Sequence, residues 1–375
     1  MLKKIVIIHF QPVELYPPVQ NLINFLESET TEREISVITT RSKSNIPPFQ
    51  TKNIRVFRFG KTGLKNIFSR YINYVIFYSF SLIKLIIKKP DHVLYFETLS
   101  SYPAVLYKKY FSKKTGILIH YHEYSSPEEI AHGMKLNKIF HSREKNLYPD
   151  ALWISHTNEY RMELFKKDEY PVLINNAHIL PNYPPANWRV SDQKIISEPL
   201  KIIMVGALGF DTMYVKEFAE WIIQQNGKAI WDIYSLTISD EAKSYLESLH
   251  TNYITLKGSV EYKKLPAVFK NYNVGVILYK GHIPNYIYNA PNKLFEYHVN
   301  GLDVWFPEQM VGAFSYIKTD SYPKILPVNF EKLSDLKTKD LINRGGLQFI
   351  IRKYSSEIVF KELQSVLFES KMSKP

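Results

Sequence analysis

A chain of 375 residues exceeds one ordinary core and argues for two domains, and 45% hydrophobic with 22% charged residues excludes a disordered or fibrous protein. The absence of cysteine excludes disulfides, thiolate metal sites and a cysteine nucleophile. A net charge of +12 is compatible with an acidic partner, whether nucleic acid, an anionic membrane surface or a phosphorylated substrate, and does not say which.

The first predicted strand is Ile5–Ile8. Two lysines precede it, and the apolar run is too short for a signal peptide, so a cytoplasmic location is expected. Strands at 35–38, 92–96, 117–119 and 153–155 alternate with helical patterns at 19–26, 71–87 and 158–165, the order of a parallel sheet with crossover helices. The stretch Tyr71–Ile87 falls short of a membrane span because Lys84 interrupts it. It reads as a mostly buried helix ending at Lys88-Lys89-Pro90.

Pro181, Pro184, Pro185 and Pro199 mark a linker between Leu180 and Leu200. Strands then resume at 201–205, 230–234, 254–256, 274–278 and 303–306, with a helix at 215–225. Two doubly wound α/β domains are therefore expected, at 1–185 and 186–354, with a last helix near 355–370 packing back on the first. In such sheets ligands bind outside the carboxyl ends of the strands, so the function is expected where the loops of two facing domains border a cleft.

The most informative stretch is Ala290-Pro291-Asn292-Lys293-Leu294-Phe295-Glu296-Tyr297, followed by Gly301. Proline suits a helix start, and the helix N-terminus offers amides and partial positive charge to an anion. Lys293 in the first turn opposes the macrodipole, which a bound phosphate would explain. Glu296, one turn on and on the same face, can accept from the hydroxyls of a ribose. The plain alternative is an amphipathic helix with an incidental surface Lys-Glu pair.

This segment resembles the signature helix of the large family of retaining, GT-B-fold group 1 glycosyltransferases, of the bacterial surface-polysaccharide type. Met204-Val205-Gly206-Ala207-Leu208 resembles the family's glycine turn, and Lys257-Gly258-Ser259-Val260 with Val274–Tyr279 its run into the base-binding loop. Ile179-Leu180-Pro181-Asn182 resembles its domain-junction turn, and His120-Tyr121-His122-Glu123-Tyr124 its His-Glu loop beside the donor sugar.

The resemblance implies transfer of a sugar from a nucleotide diphospho-sugar to a hydroxyl of a glycan or lipid-linked glycan, with retention and without a metal or other cofactor. It implies His122, Glu123 and Lys293 as catalytic groups. Gly206, Ala207, Leu208, Lys216, Gly258, Tyr279, Asn292, Lys293 and Glu296 are implied on the donor side, and Glu14 and Tyr16 on the acceptor side. A metal on His120 and His122 is discounted, because the two are read as pointing to opposite faces of their strand.

The family's paired glycines after the first strand are absent, Tyr288 stands where an acidic residue is usual, and no basic residue follows the glycine turn before Lys216. A sugar-nucleotide epimerase or hydrolase of the same fold, and a non-catalytic nucleotide-sugar-binding subunit of a transferase complex, remain as alternatives. Basic clusters at 41–65, 84–89 and 108–114 carry no nucleic-acid-binding motif, so no nucleic acid partner is expected. Interleaved with Tyr71, Tyr74, Phe77 and Tyr78, they predict peripheral docking on the inner face of the plasma membrane. A solvated basic face is the plain alternative.

Overall fold

The computed structural model describes residues 3–29, 34–43, 46–193, 198–335, 338 and 345–368. The chain divides into two compact units, Met1–Asn182 with Ser356–Pro375, and Tyr183–Ser355.

Unit 1 is built on seven strands: β1 (Lys4–His9), β2 (Glu34–Arg41), β3 (Arg55–Lys61), β4 (His92–Phe96), β5 (Gly116–Tyr121), β6 (Trp153–His156) and β7 (Ala177–Ile179). They lie in the order β3-β2-β1-β4-β5-β6-β7, every neighbouring pair parallel. The connecting helices are α1 (Pro17–Ser28), α2 (Ile67–Lys88), α3 (Thr98–Tyr110), α4 (Pro127–His132), α5 (Lys135–Glu144) and α6 (Glu159–Glu169). Side chains on a strand alternate between faces. Ile5 and Ile7 therefore join one core layer with α1, and Val6 and Ile8 join another with α2, α3 and α6. This two-sided burial explains the unbroken apolar runs of β1, β4 and β5.

Unit 2 repeats the plan with β8 (Leu200–Val205), β9 (Ala229–Tyr234), β10 (Ile254–Gly258), β11 (Val274–Val276), β12 (Asp303–Pro307) and β14 (Ile325–Val328). The sheet order is β10-β9-β8-β11-β12-β14, again parallel throughout. The short β13 (Ser321–Tyr322) pairs separately with β15 (Gln348–Phe349). Its helices are α7 (Val215–Gln224), α8 (Asp240–Ser248), α9 (Leu265–Phe269), α10 (Pro284–Ile287) and α11 (Asn292–Val299). Ile202 and Met204 face the layer with α7, and Ile203 the layer with α9 and α11.

The expected last helix runs Ser356–Phe368 (α12), with 369–370 outside the described residues. It belongs to unit 1. Phe360, Leu363 and Leu367 enter the layer shared with α1, and His92 Nδ1 lies 2.7 Å from the Leu367 carbonyl.

Helix α2 corrects the sequence expectation of a mostly buried helix. Asn66 caps its start by accepting from the amides of Phe68 and Ser69, and Lys89 in the left-handed conformation ends it before Pro90. Only the ridge Asn73, Phe77, Ser81 and Leu85 is buried, whereas Phe68, Ile72, Val75, Phe80 and Ile83 are exposed. Apolar content all round a helix fixes neither the face it buries nor what covers the rest.

Candidate functional site

In unit 1 the strand order reverses between β1 and β4, and a cavity of about 390 Å³ opens at the carboxyl ends of the central strands. Its lining includes His9 after β1, Glu97 after β4, Tyr121 and Glu123 around the end of β5, His156 from β6, and Tyr16. Carboxylates and aromatic rings share these walls. That mixture suits a polyhydroxylated ligand, whose hydroxyls need acceptors and whose ring faces are apolar.

Glu97 is the residue that sequence reasoning missed. The sequence places the function in loops at the carboxyl ends of the strands, but no residue of the loop after Phe96 stands out there. Its backbone sits at φ 62° and ψ 154°, a region that side chains other than glycine rarely adopt. The carboxylate Oε1 accepts from the amides of His122 (2.6 Å) and Glu123 (3.2 Å), so it organises the His-Glu loop. Burial, reinforced by the charge of Glu123, pushes its pKa up to about 8, against the pull of those amides and of Arg161. The signal was a carboxylate directly behind a fully buried central strand.

His9 and His156 were missed as well. His9 Nδ1 lies 2.6 Å from the Gln11 carbonyl, and its Nε2 is buried without a hydrogen-bond partner. Burial and then His122 hold it at about 3. Both ring nitrogens of His156 are buried without partners, and burial followed by the Arg161 charge holds it well below the usual histidine range. Both imidazoles are neutral and able to bond hydroxyls.

His122 follows β5 and stacks on Phe96 at 5.2 Å between ring centres. Burial brings it down to about 4, with Arg161 acting the same way and the Asn182 bond opposing. Its Nδ1 lies 3.2 Å from both His120 Nε2 and Asn182 Oδ1, which corrects the opposite-face reading. Residues two apart along an extended chain share a face. Tyr16 packs edge-on against His9 at 4.5 Å, and burial, followed by Glu123 and Glu97, pushes its hydroxyl up. Glu14 does not line the cavity. Its carboxylate is 3% exposed and accepts from Arg58 Nη2 at 2.7 Å and from the Phe49 amide at 2.9 Å.

In unit 2 the reversal falls between β8 and β11, and α11 is pinned beside it. Tyr297 is fully buried, its hydroxyl accepts from the Val205 amide at 2.9 Å, and its ring occupies the space that any Cβ at Gly275 would need. Pro291 stands at the N-cap with no side chain capping the helix. Glu296 is not on the surface. It is fully buried, with Oε1 accepting from Asn292 Nδ2 at 2.7 Å and Oε2 from Lys293 Nζ at 2.6 Å. Lys293 remains 17% exposed and lies over the Tyr262 ring at 5.9 Å. Asn292, Lys293 and Glu296 thus form one cluster on the first turn.

The other donor-side candidates are placed separately. Gly206, at φ 136°, follows β8 with open space where a Cβ would stand, and Gly258, at φ 75°, ends β10 in the same way. Ala207 lies in the turn after Gly206, whereas Leu208 enters the core and gives its amide to the Thr237 carbonyl. Tyr279 stacks on Tyr286 at 5.0 Å. Lys216 is exposed on α7, 4.0 Å from Glu220.

No protein-family model matches this sequence, and no curated protein matches it. Solved structures do. A lipopolysaccharide outer core galactosyltransferase, WaaB, superposes with a TM-score of 0.62 at 16% identity, over 97% of this chain and 99% of its own. Anabaena HepE, solved in complex with UDP and glucose, superposes at 0.64 with 9% identity, over 97% and 99%. The UDP-GlcNAc 2-epimerase of Methanocaldococcus jannaschii superposes at 0.56 with 12% identity, over 96% and 99%.

The chain has the GT-B fold. The likeness spans both units, and GT-B proteins of this kind include transferases and epimerases alike. Chemistry must be argued from the side chains.

Proposed function

We propose that this GT-B protein is a retaining, metal-independent glycosyltransferase that moves a sugar from a nucleotide diphospho-sugar to a hydroxyl of a glycan or lipid-linked glycan. The observation that carries the reading is the cluster on the first turn of α11. A lysine and a buried glutamate share a helix start pinned to the carboxyl end of β8. An ammonium has three N–H groups, and Glu296 takes one, leaving donors for the oxygens of a diphosphate. Charge growing on that leaving group is stabilised by Lys293 together with the helix amides. Glu296 is the proposed ribose acceptor, reached by exchanging one of its present partners. His122 and Glu123 are the proposed contacts of the donor sugar, and the unit 1 cavity the proposed seat of the acceptor.

Transfer assays with Lys293→Ala and Glu296→Ala test this, after titration of the common nucleotide sugars by calorimetry. Lys293→Ala is expected to cut turnover by about 10²–10³. Near-normal turnover in both variants would remove the assignment.

A second reading, epimerisation or hydrolysis of a nucleotide sugar, is favoured by one observation. Glu97 and Glu123 bring two carboxyl groups to one cavity, and the raised value of Glu97 suits proton transfer near neutrality. Sugar inversion or nucleotide release without an acceptor would select it. Donor binding without any turnover would instead indicate a non-catalytic subunit.

A further inference from the structure

Helix α2 carries Ile67, Phe68, Tyr71, Ile72, Val75, Ile76, Phe80, Ile83 and Ile87 at 37–77% exposure. Nine large apolar side chains on one helix form a continuous strip opposite the buried ridge. Single exposed apolar residues need no explanation, but a contiguous strip does. From Lys61 to Lys89 the sequence has six basic residues and no acidic one. Arg70 stands in the first turn of the helix, Lys65 just before its cap and Lys61 at the end of β3, with Lys89 at the far end, while Lys84 is drawn over the Phe57 ring and Lys88 pairs with Glu34. At the far end, Ile86 and Lys89 share a second cavity of about 550 Å³ with Phe111, Lys114, Lys3 and one acidic residue, Asp91, whose carboxylate accepts from the Lys4 amide at 2.9 Å. The strip therefore ends against a basic recess.

We infer that α2 lies in the plane of an anionic lipid leaflet, with its exposed strip among the acyl chains and the Lys89–Lys114 recess receiving lipid phosphates. Because the helix begins at Ile67 and not at Tyr71, its 22 residues are, contrary to the sequence expectation, long and apolar enough to cross a membrane by length and composition alone. Its buried ridge nevertheless belongs to the core layer of unit 1, with Phe77 and Leu85 packed among β1, β4 and β5 residues. Spanning would strip that ridge from the sheet, so the helix rests on the surface as interfacial helices do. Charge selects the partner, because the basic residues at the two ends outnumber the acidic ones beside them, Glu34 and Asp91, and the excess matches anionic headgroups. The inference does not depend on the proposed transfer reaction.

Co-sedimentation of the full chain with vesicles of phosphatidylcholine, and of phosphatidylcholine with an equal part of phosphatidylglycerol, tests it. The chain is expected to bind the mixed vesicles and to weaken as salt rises. Val75→Glu with Ile83→Glu, both solvent-facing, should lower binding about tenfold or more with unchanged thermal stability. Lys89→Glu with Lys114→Glu should lower it and flatten the salt dependence. Phe80→Trp places an indole on the strip, and its emission should shift to the blue on the mixed vesicles. Three results would overturn the inference: no binding to either vesicle, undiminished binding by the Val75/Ile83 variant, or a dimer in solution that this variant splits and that ignores vesicles.

Discussion

Glu97 combines a backbone conformation that disfavours side chains with a carboxyl held near 8, and both have consequences that can be measured. Its folded pKa lies above the ordinary 4.5, so the protonated form is preferred on folding. The stabilisation is complete below about 4.5 and is lost as pH rises through about 8. Glu97→Gln should flatten this fall in thermal midpoint, as followed by calorimetry across the same range. An unchanged slope would show that other groups set it. If Glu97 moves a proton during turnover, the same variant should also remove the limb of the rate profile near 8. Sequence alone does reveal Lys293 and Glu296 as neighbours, because three residues along a helix face one way. It does not reveal that Glu296 is buried, since burial is decided by Tyr297 and the sheet beneath it. Nor does it reveal His9 or His156, which become a site only when non-adjacent strands align.

The elements differ in how far their patterns betray them. Central strands are legible because burial on both faces leaves an unbroken apolar run, as in β4 and β5. The edge strands β3 and β7 are only half-buried, and their mixed runs went unread. Helix α2 was found with its proper end but assigned the wrong environment. Helix α11 depends on an approach that glycine alone permits: a Cβ at Gly275 would stand 2.2 Å from the Tyr297 ring. Gly275→Ala should therefore push α11 off β11, cost about 1–3 kcal/mol, and weaken donor binding through Lys293 although no ligand-facing atom is changed. Denaturant unfolding and calorimetric titration check the two effects together, and an unaffected midpoint would show that the ring can move aside.

At the scale of the molecule, the two doubly wound units follow from alternating periods of two and 3.6 residues, which explains why the fold class was readable where the chemistry was not. The long, apolar α12 is the exception to sequential order, for it completes a core begun more than three hundred residues earlier. Leu363→Ala should cost unit 1 about 2–5 kcal/mol, because the side chain is fully enclosed beneath α1. Hydrogen exchange should report the loss in β1 and α1 and spare β8–β12. The same arrangement sets a schedule for translation. Strands β1 to β7 leave the ribosome with the face occupied by Phe360, Leu363 and Leu367 still bare, and it stays bare until all of unit 2 has been made. Unit 2, being one uninterrupted segment, can fold first although it is synthesised second. A chain ending before Ser356 would leave that apolar face exposed, the kind of surface that chaperones and proteases recognise.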